Sequence, residues 1–116
     1  MLIQDLEDSI PIDTNLHYQQ IRFLKKELQK SVERWEVHFQ LGQLYFEVVE
    51  ITQSEYHFRQ ALAYREAYPA ANAGLAALYK KLGKHQLATY HYRKACKLDP
   101  GLQTEILTRF FDPQAR

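Results

Sequence analysis

The stretch Leu75-Ala76-Ala77-Leu78-Tyr79-Lys80-Lys81-Leu82-Gly83-Lys84-His85-Gln86-Leu87-Ala88-Thr89-Tyr90 decides how this chain folds. Its large apolar residues recur every three or four positions, as on one face of a helix. Gly83 then suits a left-handed C-terminal cap that ends the helix and turns the chain back. A shift of 34 residues toward the N-terminus finds the same pattern again: Leu41 falls on Leu75, Leu44 on Leu78, Tyr45 on Tyr79, Tyr56 on Tyr90, His57 on His91, Phe58 on Tyr92 and Ala61 on Ala95. Gly42 meets Ala76 and Ser54 meets Ala88 in this frame, so small residues recur where large ones would hold two helices apart. An internal repeat of this length is the signature of stacked helical hairpins.

Each unit reads as two helices, and the spacing predicts them near 36–49, 53–66, 70–82 and 86–98. The first unit has no glycine at its turn; Thr52-Gln53-Ser54-Glu55 is expected to act there as a capping box. Pro69 fits the first position of a helix, where its missing N–H costs nothing, and Asp99-Pro100-Gly101 punctuates the end of the second unit. Upstream, Ile21, Leu24, Leu28 and Val32 give residues 15–33 a helical face behind Asp13, Thr14 and Asn15 as caps. Downstream, Leu102, Ile106, Leu107, Phe110 and Phe111 supply an apolar face for a short capping helix, with Cys96 beneath it as an inert thiol. The expected organisation is an acidic amphipathic segment over 1–14, a helix or degenerate repeat over 15–34, repeats over 35–68 and 69–102, and a capping helix with its tail over 103–116.

Leu75-Ala76, Tyr79, Leu82-Gly83-Lys84-His85, Ala88, Tyr92, Lys94-Ala95 and Leu98-Asp99-Pro100 resemble the motif positions of the tetratricopeptide repeat family. The first unit keeps Leu41-Gly42, Tyr45, Phe58 and Ala61-Leu62, with His38 at the family's usual Trp site and Ser54 for its Ala. The resemblance implies an all-α fold, a short right-handed solenoid of helical hairpins with flanking capping helices. It also implies a protein-binding role on the concave surface. The basic clamp with which some members grip acidic chaperone tails is missing, since Phe39, Gln43 and Gly74 stand at the matching sites with Ala70 and Ala73 nearby.

Composition agrees with one soluble helical domain. The chain has 116 residues, 46% of them hydrophobic and 25% charged, with only four Gly and four Pro. Net charge is +1, which gives no global field for steering toward nucleic acid or a membrane. The charge is nevertheless split. Residues 1 to 14 carry Asp5, Glu7, Asp8 and Asp13 with no basic residue, leaving the rest at +5, fifteen basic against ten acidic. A single cysteine, Cys96, allows no intrachain disulfide, so a cytoplasmic, reducing setting is expected. The acidic N-terminus lacks the basic region of a secretory signal, and no apolar run is long enough to span a membrane.

Catalytic chemistry finds no foothold in the sequence. There is no Gly-rich phosphate loop, no His-Glu-x-x-His, no cysteine pair and no nucleophile elbow, so no enzyme, cofactor or metal is expected. His57 and His91 occupy equivalent places in the two units; stacked on one outer surface they would lie roughly 10 Å apart, too far to share an ion, and the ordinary role of such histidines is as surface or packing residues in place of aromatics.

The first helix of the first unit carries three apolar stripes where one would serve. His38, Leu41, Gly42 and Tyr45 face the partner helix; Val37, Leu44 and Val48 face the N-terminal helix or the neighbouring unit. Phe39 and Phe46, with Gln43 between them, face the side where the family has its concave surface, opposite Ala73, Ala77 and Lys80 of the next unit. Phe39, Gln43, Phe46, Ala73, Ala77 and Lys80 are therefore the candidate partner-binding residues. The expected role is a non-catalytic adaptor or assembly chaperone holding a peptide or amphipathic helix of another protein. Leu2, Ile3, Leu6 and Ile10 are an alternative cover for the same rings. Two other readings stand beside it. One is an RNA-associated helical repeat using Lys80, Lys81, Lys84, Arg93, Lys94 and Lys97, which the near-zero net charge disfavours. The other is a homo-oligomeric scaffold associating through its open ends at Phe110 and Phe111.

Overall fold

A computed structural model describes residues 14–102, in which five α-helices and no strand occur. They are α1 (Thr14–Lys30), α2 (Trp35–Glu47), α3 (Ile51–Tyr64), α4 (Pro69–Lys81) and α5 (His85–Leu98). The expectations for residues 1–13 and 103–116, including the capping helix over Cys96, lie outside the described residues. Adding 34 to the bounds of α2 and α3 gives the bounds of α4 and α5, so the repeat seen in the sequence is also a repeat of structure.

The packing is mostly between neighbours. α2 lies extensively on α3 and α4 on α5, while α3 meets α4, α1 meets α2, and α2 touches α4. The smallest dimension is 23 Å, about two helix diameters, so the chain forms a double layer. Two apolar clusters fill it. Ile21, Val37, Leu41 and Tyr45, with Leu24, Leu28, Leu44 and Val48 around them, join α1 to α2. Phe58, Leu75, Leu78, Tyr79 and Ala88, with Phe39, Phe46, Ile51 and Leu62 around them, join the two hairpins. Val37, Leu44 and Val48 thus form the stripe that meets α1.

Phe58 is the wedge between hairpins. A Cβ on Gly42 would come within 2.7 Å of its ring, and a Cβ on Gly74 would also come within 2.7 Å. Both glycines are there because helices α2 and α4 close on adjoining atoms of one buried aromatic ring, its Cε1 lying near both.

The two turns share a backbone pattern and differ in residue chemistry. Gly83 donates its N–H to the Lys80 carbonyl and Lys84 donates to Tyr79; Val49 likewise donates to Phe46 and Glu50 to Tyr45. These are the paired bonds of a Schellman cap, whose central residue must be left-handed. Gly83 adopts φ +76° freely, whereas Val49 is held at φ +62°, a strained conformation for a β-branched residue. The capping box expected at Thr52–Glu55 is therefore corrected. α3 begins at Ile51 behind Glu50 with no side-chain cap, and Thr52 lies inside the helix. Pro69 does open α4. Val32 is corrected too, because α1 ends at Lys30 and Val32 is 59% exposed in the turn that follows.

Candidate functional site

Inside each hairpin lies a polar lock built on the equivalent histidine. His57 Nδ1 sits 3.1 Å from His38 Nδ1, and His38 Nε2 sits 2.9 Å from the Val32 carbonyl. A carbonyl oxygen can only accept, so His38 Nε2 carries a proton, and one of the two facing Nδ1 atoms donates to the other. In the second hairpin Asn72 replaces His38. Its Nδ2 donates to the Tyr68 carbonyl at 3.2 Å, which turns Oδ1 toward His91 Nδ1 at 2.9 Å. The aromatic surroundings repeat as well. Tyr45 stacks on His57 and Tyr79 on His91, each with centroids 5.6 Å apart, while Tyr56 and Tyr90 stand edge-on to the same imidazoles.

Burial pushes both imidazoles down to about 4, helped by His38 and Lys25 at His57 and by Arg59 and Lys94 at His91. Of the two roles expected for these histidines, surface or packing, they fill the packing one: His57 is only 6% exposed and His91 half-buried, and both serve as neutral packing groups between helices. No group of three or more His, Cys, Asp or Glu able to hold a metal ion occurs among the described residues.

A second polar link fastens the hairpins together. Tyr79 donates to the Glu55 carboxylate at 2.5 Å and accepts from the Arg59 guanidinium at 2.5 Å. The bond from Tyr79 is the main influence holding the Glu55 carboxyl below its ordinary value.

The six candidate binding residues fall on two helices that touch, α2 and α4. Phe39 and Phe46 are half-buried rather than open. Phe39 lies 5.8 Å from Phe58 and 5.1 Å from Tyr68, centroid to centroid, so much of the ring is already covered from within the chain. Ala77 is 6% exposed and Ala73 half-buried, whereas Gln43 and Lys80 are exposed. What remains accessible on this side is the rim formed by Gln43 and Lys80, with the outer edges of the two rings.

Gln43 also belongs to a groove that the sequence reading missed. Between α1 and α2 a cleft of about 500 Å³ is bounded by Leu16, Gln20 and Phe23 on one helix and by Gln40, Gln43 and Glu47 on the other. Phe23 is 61% and Leu16 48% exposed. The available signal was Phe23 itself, a large apolar residue off the Ile21–Leu24–Leu28 stripe. His17, 3.5 Å from Glu47, and a hydrogen bond from Tyr18 to Glu50 tie the start of α1 to the end of α2 and the turn after it. Apart from this cleft, Arg65 lies over the rings of Trp35 and Tyr68, at 4.3 and 4.7 Å from their centroids, and links the end of α3 to the starts of α2 and α4.

Compared with models of known protein families, with characterised proteins and with solved structures, the chain matches none. No described helix is long and apolar enough to cross a membrane.

Proposed function

We propose that this chain is a small tetratricopeptide-like module, two hairpins of a short right-handed solenoid preceded by α1, that binds another protein and catalyses nothing. The observation that carries the reading is the 34-residue equivalence of helix bounds, turns and histidine locks. A fold built by such repetition makes extended surfaces rather than enclosed catalytic cavities.

The occupied surface is the cleft between α1 and α2, continued past Gln43 toward Lys80. Apolar walls at Leu16, Phe23 and Leu44 suit apolar side chains of a peptide or amphipathic helix, and four glutamine amides along its length suit the polar edge of such a ligand. This shifts the binding surface one helix toward the N-terminus from the Phe39–Ala77 pairing, because those residues are spent largely on internal packing. Adaptor, scaffold and assembly-chaperone roles all use such a surface, and a reducing, cytoplasmic setting suits the lone Cys96.

The test is partner capture with Phe23→Asp combined with Gln43→Arg, both at exposed positions. The expected outcome is at least a tenfold loss of captured protein with an unchanged helical circular dichroism spectrum, equivalent to about 1.4 kcal/mol or more of binding. Capture equal to wild type by a folded double variant would remove the cleft as the site.

A further inference from the structure

Between Glu66 and Asp99 the chain contains six Lys and Arg residues and no Asp or Glu. That interval covers all of α4 and α5, so the second hairpin carries unopposed positive charge. On the outer side of α5, two adjacent rows at four-residue spacing hold His85, Thr89, Arg93 and Lys97, then Gln86, Tyr90 and Lys94. Together they line a shallow depression of about 570 Å³, away from the Ala88 and Ala95 side that packs on α4. Tyr90 is 55% exposed at its centre, with the Lys94 ammonium 5.6 Å from its ring centroid. Neither Arg93 nor Lys97 has an ion-pair partner among the described residues.

Two stretches are of the opposite kind. Residues 35 to 58 carry Glu36, Glu47, Glu50 and Glu55 with no Lys or Arg, but each of these carboxylates has a partner within the chain, Arg34, His17, Tyr18 and Tyr79 in turn; the other stretch is N-terminal. Residues 1 to 14 hold Asp5, Glu7, Asp8 and Asp13 without a single Lys or Arg, interspersed with Leu2, Ile3, Leu6 and Ile10. That stretch leads into α1, at the other end of the succession of packed helices from α5. Complementary surfaces at opposite ends of a repeat molecule meet most directly between copies.

We propose that the basic outer face of α5 docks the acidic N-terminal stretch of a second copy of this chain, head to tail. The carboxylates meet Arg93, Lys94 and Lys97, and the apolar residues between them lie on the Tyr90 ring. Such a contact is heterologous, so successive copies can extend it into short chains. Being made largely of exposed charge, it is strong at low ionic strength and screened at high. It uses a different face from the α1–α2 cleft and stands or falls separately.

A charge-exchange experiment on the full chain tests it by light scattering over a concentration series. Wild type is expected to rise at least twofold above its monomer mass of 13.7 kDa at about 20 mM salt and to return to it near about 500 mM. Arg93→Glu with Lys97→Glu, and separately Asp5→Lys with Asp8→Lys, should each stay monomeric, since the first sets acids against acids and the second leaves residues 1 to 14 with no net charge. Mixing the two variants should restore assembly, because each then offers the other a complementary end. A wild type that stays monomeric at low salt overturns the proposal, as do single-ended variants that still assemble or a mixture that does not. Titration with a labelled peptide of residues 1 to 14 and with a short oligouridylate of equal charge identifies the preferred anion. Peptide binding lost in Arg93→Glu with Lys97→Glu supports the proposal; oligouridylate that binds this face more tightly and displaces the peptide overturns it in favour of RNA.

Discussion

At the scale of single residues, the chain tolerates one conspicuous misfit. Val49 occupies the place that Gly83 fills in the second hairpin, with the same cap hydrogen bonds and nearly the same positive φ. A β-branched residue there costs on the order of 1 kcal/mol. Val49→Gly is therefore expected to raise stability by about 0.5 to 1 kcal/mol in urea denaturation, since Val49 is 62% exposed and has little burial to lose. A destabilised Val49→Gly would mean that the side chain contributes more than its exposure suggests. The buried imidazoles give a pH signature. The unfolded chain takes up a proton on His57 and on His91 near the ordinary value of about 6.5, while the folded chain resists until about 4. Between those values the unfolded state holds more protons, so stability is complete above about pH 6.5 and falls as pH drops toward 4. A loss of roughly 1 to 3 kcal/mol between pH 7 and pH 4.5 is expected from urea midpoints; a flat profile would place the imidazoles in water.

At the scale of helices, the sequence was legible wherever spacing alone decides. Leu41, Tyr45, Leu75 and Tyr79 face inward as their periodicity predicts, and Pro69 and Gly83 punctuate α4 as their backbone preferences require. The first turn was misread because Val49 has no propensity for the conformation it adopts; packing of α3 on α2 imposes it. Sequence alone leaves the histidines between surface and packing roles because imidazole is equally at home in water, and only the partner across the hairpin, His38 or Asn72, favours burial. The Phe58 wedge yields a prediction at this scale. Gly74→Ala gains about 1 kcal/mol of helix propensity, but its Cβ meets the buried Phe58 ring at 2.7 Å, so that something must shift. Overpacking should prevail, with a net loss of about 1 to 2 kcal/mol measured by denaturant unfolding; a stabilised variant would show that the ring can move aside.

At the scale of the whole molecule, the repeat was readable and the binding surface only in part. Gln43 lies on the cleft, but Phe39 and Phe46 are drawn into the seam between hairpins and Ala77 is buried, which a one-helix wheel cannot reveal. The groove between α1 and α2 depends on how far α1 stands off α2, and the sequence of α1 carries only Phe23 as a hint. The adaptor reading, the cleft and the separate charged ends all presuppose that the hairpins close on Phe58. The most direct measurement is therefore the set of nuclear Overhauser contacts from the Phe58 ring protons. Contacts to the α-protons of both Gly42 and Gly74, with those protons shifted upfield by the ring, are the predicted result. Contacts to one glycine alone, or to neither, would contradict the stacking of the two hairpins.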